Sequence, residues 1–559
     1  MTTHTKIFRG APLSVAFMTL GLFALSTMPT PLRAASSAWT VAGVGDWVNG
    51  ANWVGGMAPG AGGEAAGFIG LPSMGGVITS SSDVTIGSLD VDIPGIGNTL
   101  TIDFGTIVSH TLTFDNSGAD AYISAGSTLN VNTPIILMNS QLNIDPQSNT
   151  TITFNLSSSA MGGIGEMGGA QSVTITGVPG DLTSQVVYAT PNAYTGITTV
   201  NATLSCTSAN TIQGNLLVNP LGTLDCSTVS NVFYNPSSTI ADVEGTLTNG
   251  IGMSQHLAQL HVIDKGSVNA SSFVLTDSSL SSPLTMGGGT IAVDSLIFQN
   301  GGTITYDPTL SDTLSTIGPS SSAINIDLGS NTVDLNVPPL LTSFAGDVSL
   351  AFINANFQNG ALTKSGSGTV ALTATTTIPS FTVNAGAVLL PNSGDIVITL
   401  PATTFTISGG AALNGIGTLV GVMGGLTNVV NNGIVEPGQS LFGNIGTLTI
   451  SGDYTQTNTG SLFIKGLNTG SCDKLVVSGG GTVMLDGALV FNAQPGSSFS
   501  PGDQIVVLDN TGGNITGAFS SFTSTAPPNV TATLVPTQTQ IIIKFVASGV
   551  CPPCPPCPQ

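Results

Sequence analysis

Along most of the chain, apolar residues alternate with Thr, Ser, Asn or Asp in short runs, and glycine or asparagine punctuates them. The stretch Leu362 to Leu390, LTKSGSGTVALTATTTIPSFTVNAGAVLL, shows this most plainly in its runs GTVAL and FTVNAGAVLL. Period-two alternation with β-branched residues predicts half-buried strands, and the stretch lacks the three-and-four apolar spacing of a helix. Its Gly-Ser and Asn-Ala-Gly segments supply corners where the backbone turns without a side-chain clash. A strand this short cannot bury its apolar side alone, but copies stacked on one another can. The same alternation fills Val84 to Phe154, through VTIGSLDVDI, TLTIDF, TLTFDN, STLNVN, QLNIDP and TTITFNL. Those intervals predict coils of about 20 to 25 residues.

A related unit occurs earlier, as NAYTGITTVNATL over Asn192 to Leu204. Thr199, Val200, Asn201 and Ala202 match Thr382, Val383, Asn384 and Ala385, with Leu204 and Leu389 following. Both units resemble the autotransporter-associated β-strand repeat, found in passenger domains of bacterial surface proteins secreted through an outer-membrane barrel. The resemblance implies an all-β chain folded as a right-handed parallel β-helix, a solenoid. From Leu413 the chain also resembles the C-terminal portion of such passengers, which caps the helix and assists its folding at the cell surface. The matching residues are Gly433, Glu436, Pro437, Gly438, Gly446, Leu448, Gly452, Tyr454, Gln456, Gly460, Asp473, Leu475, Gly481, Gly502, Gly517 and Phe519, nearly all expected to shape corners.

Trp39, Trp47 and Trp53 fall in a segment that resembles the one preceding such repeats. They are expected to cover the apolar end of the first coil; stacking on a sugar ring is the functional alternative. The resulting division is a signal peptide over 1–34, an N-terminal cap over 35–75 and a β-helix body over 76–412. A capping region over 413–546 and a Cys-Pro tail over 547–559 complete it. In the family a membrane barrel follows the passenger, with strands of about 9–11 residues. Here TQIIIKFVA is followed only by Ser-Gly-Val and CPPCPPCPQ, so export is expected to use separate machinery.

Composition agrees with a folded β-rich chain: 559 residues, 7% charged, 72 glycines and a positive mean hydropathy. Lys6 and Arg9, the apolar run Ala11 to Leu25 and a small residue at Ala34 make Met1 to Ala34 a secretory signal. A membrane anchor is the alternative, but the run is shorter than the roughly 20 residues a spanning helix needs. No later stretch is long and apolar enough to span. The protein is therefore expected at the cell surface or outer membrane, secreted, or in the periplasm. Beyond the signal there is no arginine, and Lys265, Lys364, Lys465, Lys474 and Lys544 stand against 29 acidic residues. Nucleic acid and anionic lipid both select cationic surfaces, so neither is an expected partner.

Candidate chemistry is sparse. Cys206 and Cys226 end the similar runs ATLSC and GTLDC, about one coil apart. Adjacent parallel strands lie about 4.7–4.9 Å apart, within the roughly 4.4–6.8 Å Cα separation of disulfides. A Cys206–Cys226 disulfide is expected, with two reduced core cysteines as the alternative. Asp83, Asp90, Asp92 and Asp103 suggest solvated corners before calcium ligands, because no ligand loop of fixed spacing is present. Gly163, Gly165 and Gly168 form a nominal dinucleotide fingerprint, but a strand follows where a helix is required, so the segment reads as a loop. His256 and His261 fall on opposite faces of a strand and make a poor metal pair, while His110 lies in an ordinary strand. No cofactor, metal or catalytic site is assigned. Cys551, Cys554 and Cys557 recur every third residue between proline pairs. A polyproline helix of about 3.1 Å per residue puts them on one face roughly 9 Å apart, suited to bonding another molecule. A free tail and a three-thiolate metal site are the alternatives.

The function these features imply is an adhesin or structural envelope protein that binds over an extended surface. Its partner would be a host or neighbouring-cell surface molecule, or an envelope protein joined through the tail cysteines. The second class is a polysaccharide-active lyase or glycoside hydrolase, whose paired carboxylates would have to meet across coils.

Overall fold

The computed structural model describes residues 37–549, apart from residues 96 and 182 and the stretches 71–75, 106–109, 156–162, 179–180, 277–281, 342–346, 392–394, 399–403, 422–426 and 439–443. The signal segment and the tail cysteines Cys551, Cys554 and Cys557 lie outside the described residues. The alternating runs form strands that pair with the coil before and the coil after. One coil illustrates the path: Leu142–Pro146 on a first face, Thr151–Phe154 on a second and Ile164–Met167 on a third. Val173–Ile175 then returns to the first face, parallel to Leu142–Pro146, with Ile175 against Ile144. This is a three-faced parallel β-helix.

Alternation makes the core. Ile123, Ile144, Ile175, Val200, Val218 and Val243 stack in register on the first face, every one fully buried. Each such side chain contributes about 1.5–3 kcal/mol by leaving water. Residues between them point outward, so a one-residue slip would expose the whole file.

Coil length is more variable than the intervals suggest. Asn219 bonds Asn201 beneath it across 18 residues, whereas Ser127 bonds Ile93 across 34. The faces set register and the corners absorb insertions. In one region the corners are so gentle that strands run unbroken over all three faces, as Gln259–Leu275 and Leu284–Phe298. At that bend Gly288 has φ +80°, and a Cβ there would lie 2.4 Å from Asp264 O. The Gly163–Gly168 segment holds a strand, Ile164–Met167, where a loop is expected.

The third face loses its regular ladder near residues 192–234, where the described pairing is a single bridge, Ile212 to Phe233. Buried side-chain amides replace it. Asn192 accepts from Ile164 N at 2.9 Å and donates to Thr211 O at 2.8 Å; Gln255 accepts from Val232 N at 2.9 Å and donates to Val229 O at 2.8 Å. Buried peptide groups thereby keep partners.

The two ends differ. At the N-terminal end Trp39, Trp47 and Trp53 are buried around Phe68, with ring centroids 5.0–5.7 Å apart. Their indole N–H groups donate to Val41 O, Pro59 O and Trp47 O. The cap belongs to the stack, since Ser37–Ala38 and Gly45–Asp46 already pair with the next coil. At the other end Gln540–Ala547 runs antiparallel to both Gln504–Asp509 and Val530–Pro536. Phe499 stacks on Phe545 at 4.2 Å beneath this hairpin. Among the described residues no helix is long and apolar enough to cross a membrane.

Candidate functional site

On the first face, near the N-terminal end, Ser88–Asp92, Ala121–Ala125 and Leu142–Pro146 lie side by side in parallel. Each has five residues, whereas Val173–Ile175 and Thr198–Val200 beyond them have three. The broader face carries a groove of about 900 Å³. Outward residues line it in files along the helix axis. Asp90, Ser124 and Asp145 form one file, and Ser88, Tyr122 and Asn143 the next. Asp92 and Gln147 flank them, with Ile69 and Thr176 at the two ends. Gly126 leaves a notch in the rim, since a Cβ there would meet Asp92 Oδ1 at 2.9 Å.

The polar groups here differ in what they can offer. Asp145 accepts from Gln147 Nε2 at 2.7 Å and also from Thr176 and Gly177. Burial raises its carboxyl above the usual range, against the lowering effect of those bonds. Tyr122 is 38% exposed and is among the residues lining the groove. Ser88 is 2% exposed, and its Oγ has no hydrogen-bond partner among the described residues. A buried hydroxyl in that condition costs free energy until something bonds it.

The acidic residues named from sequence divide between two roles. Asp83 accepts from Thr111 N at 2.7 Å, and Asp103 from Gly105 N at 3.0 Å, as corner caps. Asp90 and Asp92 line the groove. Among the described residues no three His, Cys, Asp or Glu side chains converge to hold a metal. His110 precedes the strand Leu112–Phe114 and lies 3.6 Å from Asp83. His256 and His261 are separated by a corner: His256 belongs to Ser254–Leu257 on the third face and His261 to the first face. Neither is freely exposed. His261 Nδ1 pairs with Asp242 Oδ1 at 2.7 Å on the coil below, and burial lowers the His256 pKa.

Cys206 and Cys226 occupy neighbouring coils of one inward file, between Tyr188 on the coil before and Asn249 on the coil after. In the structure both are buried free thiols, matching the alternative of two reduced core cysteines. Parallel in-register residues point their Cβ atoms the same way, so these keep the strand spacing of about 4.7–4.9 Å. Disulfides need roughly 3.5–4.5 Å between Cβ atoms. The Cα criterion alone misses this. Contact with Cys206 and burial push the Cys226 thiol well up.

In the C-terminal region several residues expected to shape corners belong to buried polar networks. Lys465 Nζ lies 2.8 Å from Glu436 and 3.1 Å from Asp473. Asp473 also accepts from Gly446 N and Lys465 N at 2.8 and 2.9 Å. Burial pushes its carboxyl up to about 6, opposed by Lys465 and those N–H groups. One coil away, Asn431 donates to Tyr454 Oη at 3.1 Å, and Tyr454 donates to Gln456 Oε1 at 2.9 Å. Gln456 then donates to Asp486 O and Ala488 O on the next coil. These groups staple coils together.

No family model matches the sequence, and no curated protein matches it. Among solved structures, the crystal structure of the Haemophilus influenzae Hap adhesin is similar at 14% identity and a TM-score of 0.29. The match covers 86% of this chain and 64% of that one, so this chain spans less than two thirds of that structure. The fold follows from the strand pairing alone.

Proposed function

We propose that this is an exported, passenger-like binding rod, an adhesin or envelope component that engages its partner over an extended face. The observation that carries this reading is the repetition of outward side chains from coil to coil. On the second face Thr203, Thr223 and Thr246 stand in direct register and continue through Ser267, Thr290 and Thr316. Thr363, Thr382 and Thr406 do the same on the first face. Such files present one chemistry many times over, which favours avid contact with a repeating partner.

Catalysis is the weaker reading. Asp90 and Asp145 share a file two coils apart, about 9.5 Å by strand spacing, at the upper limit of about 6.5–9.5 Å for inverting carboxylates. Asp145, however, is already held by Gln147, Thr176 and Gly177. We further propose that Cys551, Cys554 and Cys557 bond a second envelope protein. Fractionation of cells with protease shaving tests the main reading. Surface material degraded on intact cells is expected, and a wholly cytoplasmic protein would sink it. Reductant-dependent extraction, lost on changing the three tail cysteines to Ser, tests the tail.

A further inference from the structure

We propose that the groove over Ser88–Asp92, Ala121–Ala125 and Leu142–Pro146 is a glycan site, selective for sugars without acidic groups. The inference rests on the binding-rod reading and gives it a ligand class. Four features point to it together. The groove is elongated along the helix axis, and its files advance about 4.7–4.9 Å per coil, close to the length of one pyranose unit. Tyr122 supplies a partly exposed ring on which a sugar face can stack. Asp92 and Asn143 line it with side-chain oxygens whose lone pairs suit ligand hydroxyls. Ser88 Oγ is buried at the same site with no hydrogen-bond partner among the described residues.

Charge sets the selectivity. Asp90, Asp92 and Asp145 line the groove with no cationic side chain among its lining residues. A uronate or sulfated sugar would meet like charge in a partly desolvated site. A neutral hexose chain would not, and an amino sugar would gain attraction.

The test is calorimetric titration of the full chain with three hexamers: β-1,4-linked glucose, glucosamine and galacturonate. The glucose hexamer is expected to bind, the galacturonate hexamer not to, and the glucosamine arm shows whether an amine adds affinity. Tyr122→Ala should weaken glucose-hexamer binding about tenfold or more, equivalent to about 1.4 kcal/mol. Ser88→Ala should weaken it several-fold without lowering the melting temperature, and Thr455→Ala, on the same face but distant, should leave it unaltered. Absence of glucose-hexamer binding, equal binding of galacturonate, or wild-type affinity in Tyr122→Ala each overturns the assignment. None of these outcomes bears on surface location, which protease shaving decides separately.

Discussion

Lys465→Met isolates the buried charge cluster of the C-terminal coils. The substitution keeps much of the aliphatic stem and removes the ammonium shared by Glu436 and Asp473. Lys465 is 4% exposed and Asp473 fully buried, so water cannot replace the lost cation. Removing one member of a buried ion pair costs about 3–5 kcal/mol, because the remaining charge is left uncompensated. The loss should also depend on pH. The folded-state carboxyl of Asp473 is raised from 3.8 to about 6, so the folded protein binds this proton more readily than the unfolded chain. That contribution is full below about pH 4 and lost as pH rises through about 6, a span of ~3 kcal/mol. Without Lys465 the Asp473 carboxyl is harder to ionise, so the variant should suffer more at pH 7.5 than at pH 5. Urea denaturation at the two pH values, with hydrogen exchange at the Gly446 and Lys465 amides that bond Asp473, reads both effects. Lys474→Met removes a half-exposed pair with Asp509 and should cost less than about 1 kcal/mol. Equal losses for the two variants, or a Lys465→Met loss independent of pH, would refute the reasoning.

Three further outcomes are expected. Gly438→Ala places a side chain at φ +83° with its Cβ 2.4 Å from Asn444 O and 2.5 Å from Asp473 Oδ1; it should cost about 2 kcal/mol or more by urea midpoint. Lys364 is buried, with its ammonium on the carbonyls of Ser365, Gly366 and Ala385, and burial pushes it down to about 8. The unfolded chain then binds more protons between about pH 8 and 10.5, so wild-type stability should rise across that window while Lys364→Met stays flat by thermal melting. In a variant with Ser at the three tail positions, alkylation after unfolding should add three groups, at Cys206, Cys226 and Cys472; a single adduct would show that the stacked pair had oxidised.

The strands were legible because burial in a sheet imposes a period of two, which FTVNAGAVLL displays without help from distant residues. Pairing was less so. Coils of 18 and 34 residues carry the same alternation, and only closure of the whole turn decides which strand meets which. The groove shows the consequence: Asp90 and Asp92 were visible as acids near strand ends, but Tyr122, Asn143 and Asp145 join them only through register. Glu436 and Asp473 similarly read as corner residues until Lys465 comes between them. The antiparallel return of Gln540–Ala547 left no mark, since alternation is the same in either direction.

The unlike termini of the rod bear on how copies of the molecule can associate. A parallel ladder with two open rims would let one molecule template the next, end on end, into a fibre. Here an indole plug closes one rim, and the other shows an incoming chain a strand of reversed polarity. End-on templating between copies is thereby disfavoured, and the repeating outward files along the flanks stay exposed.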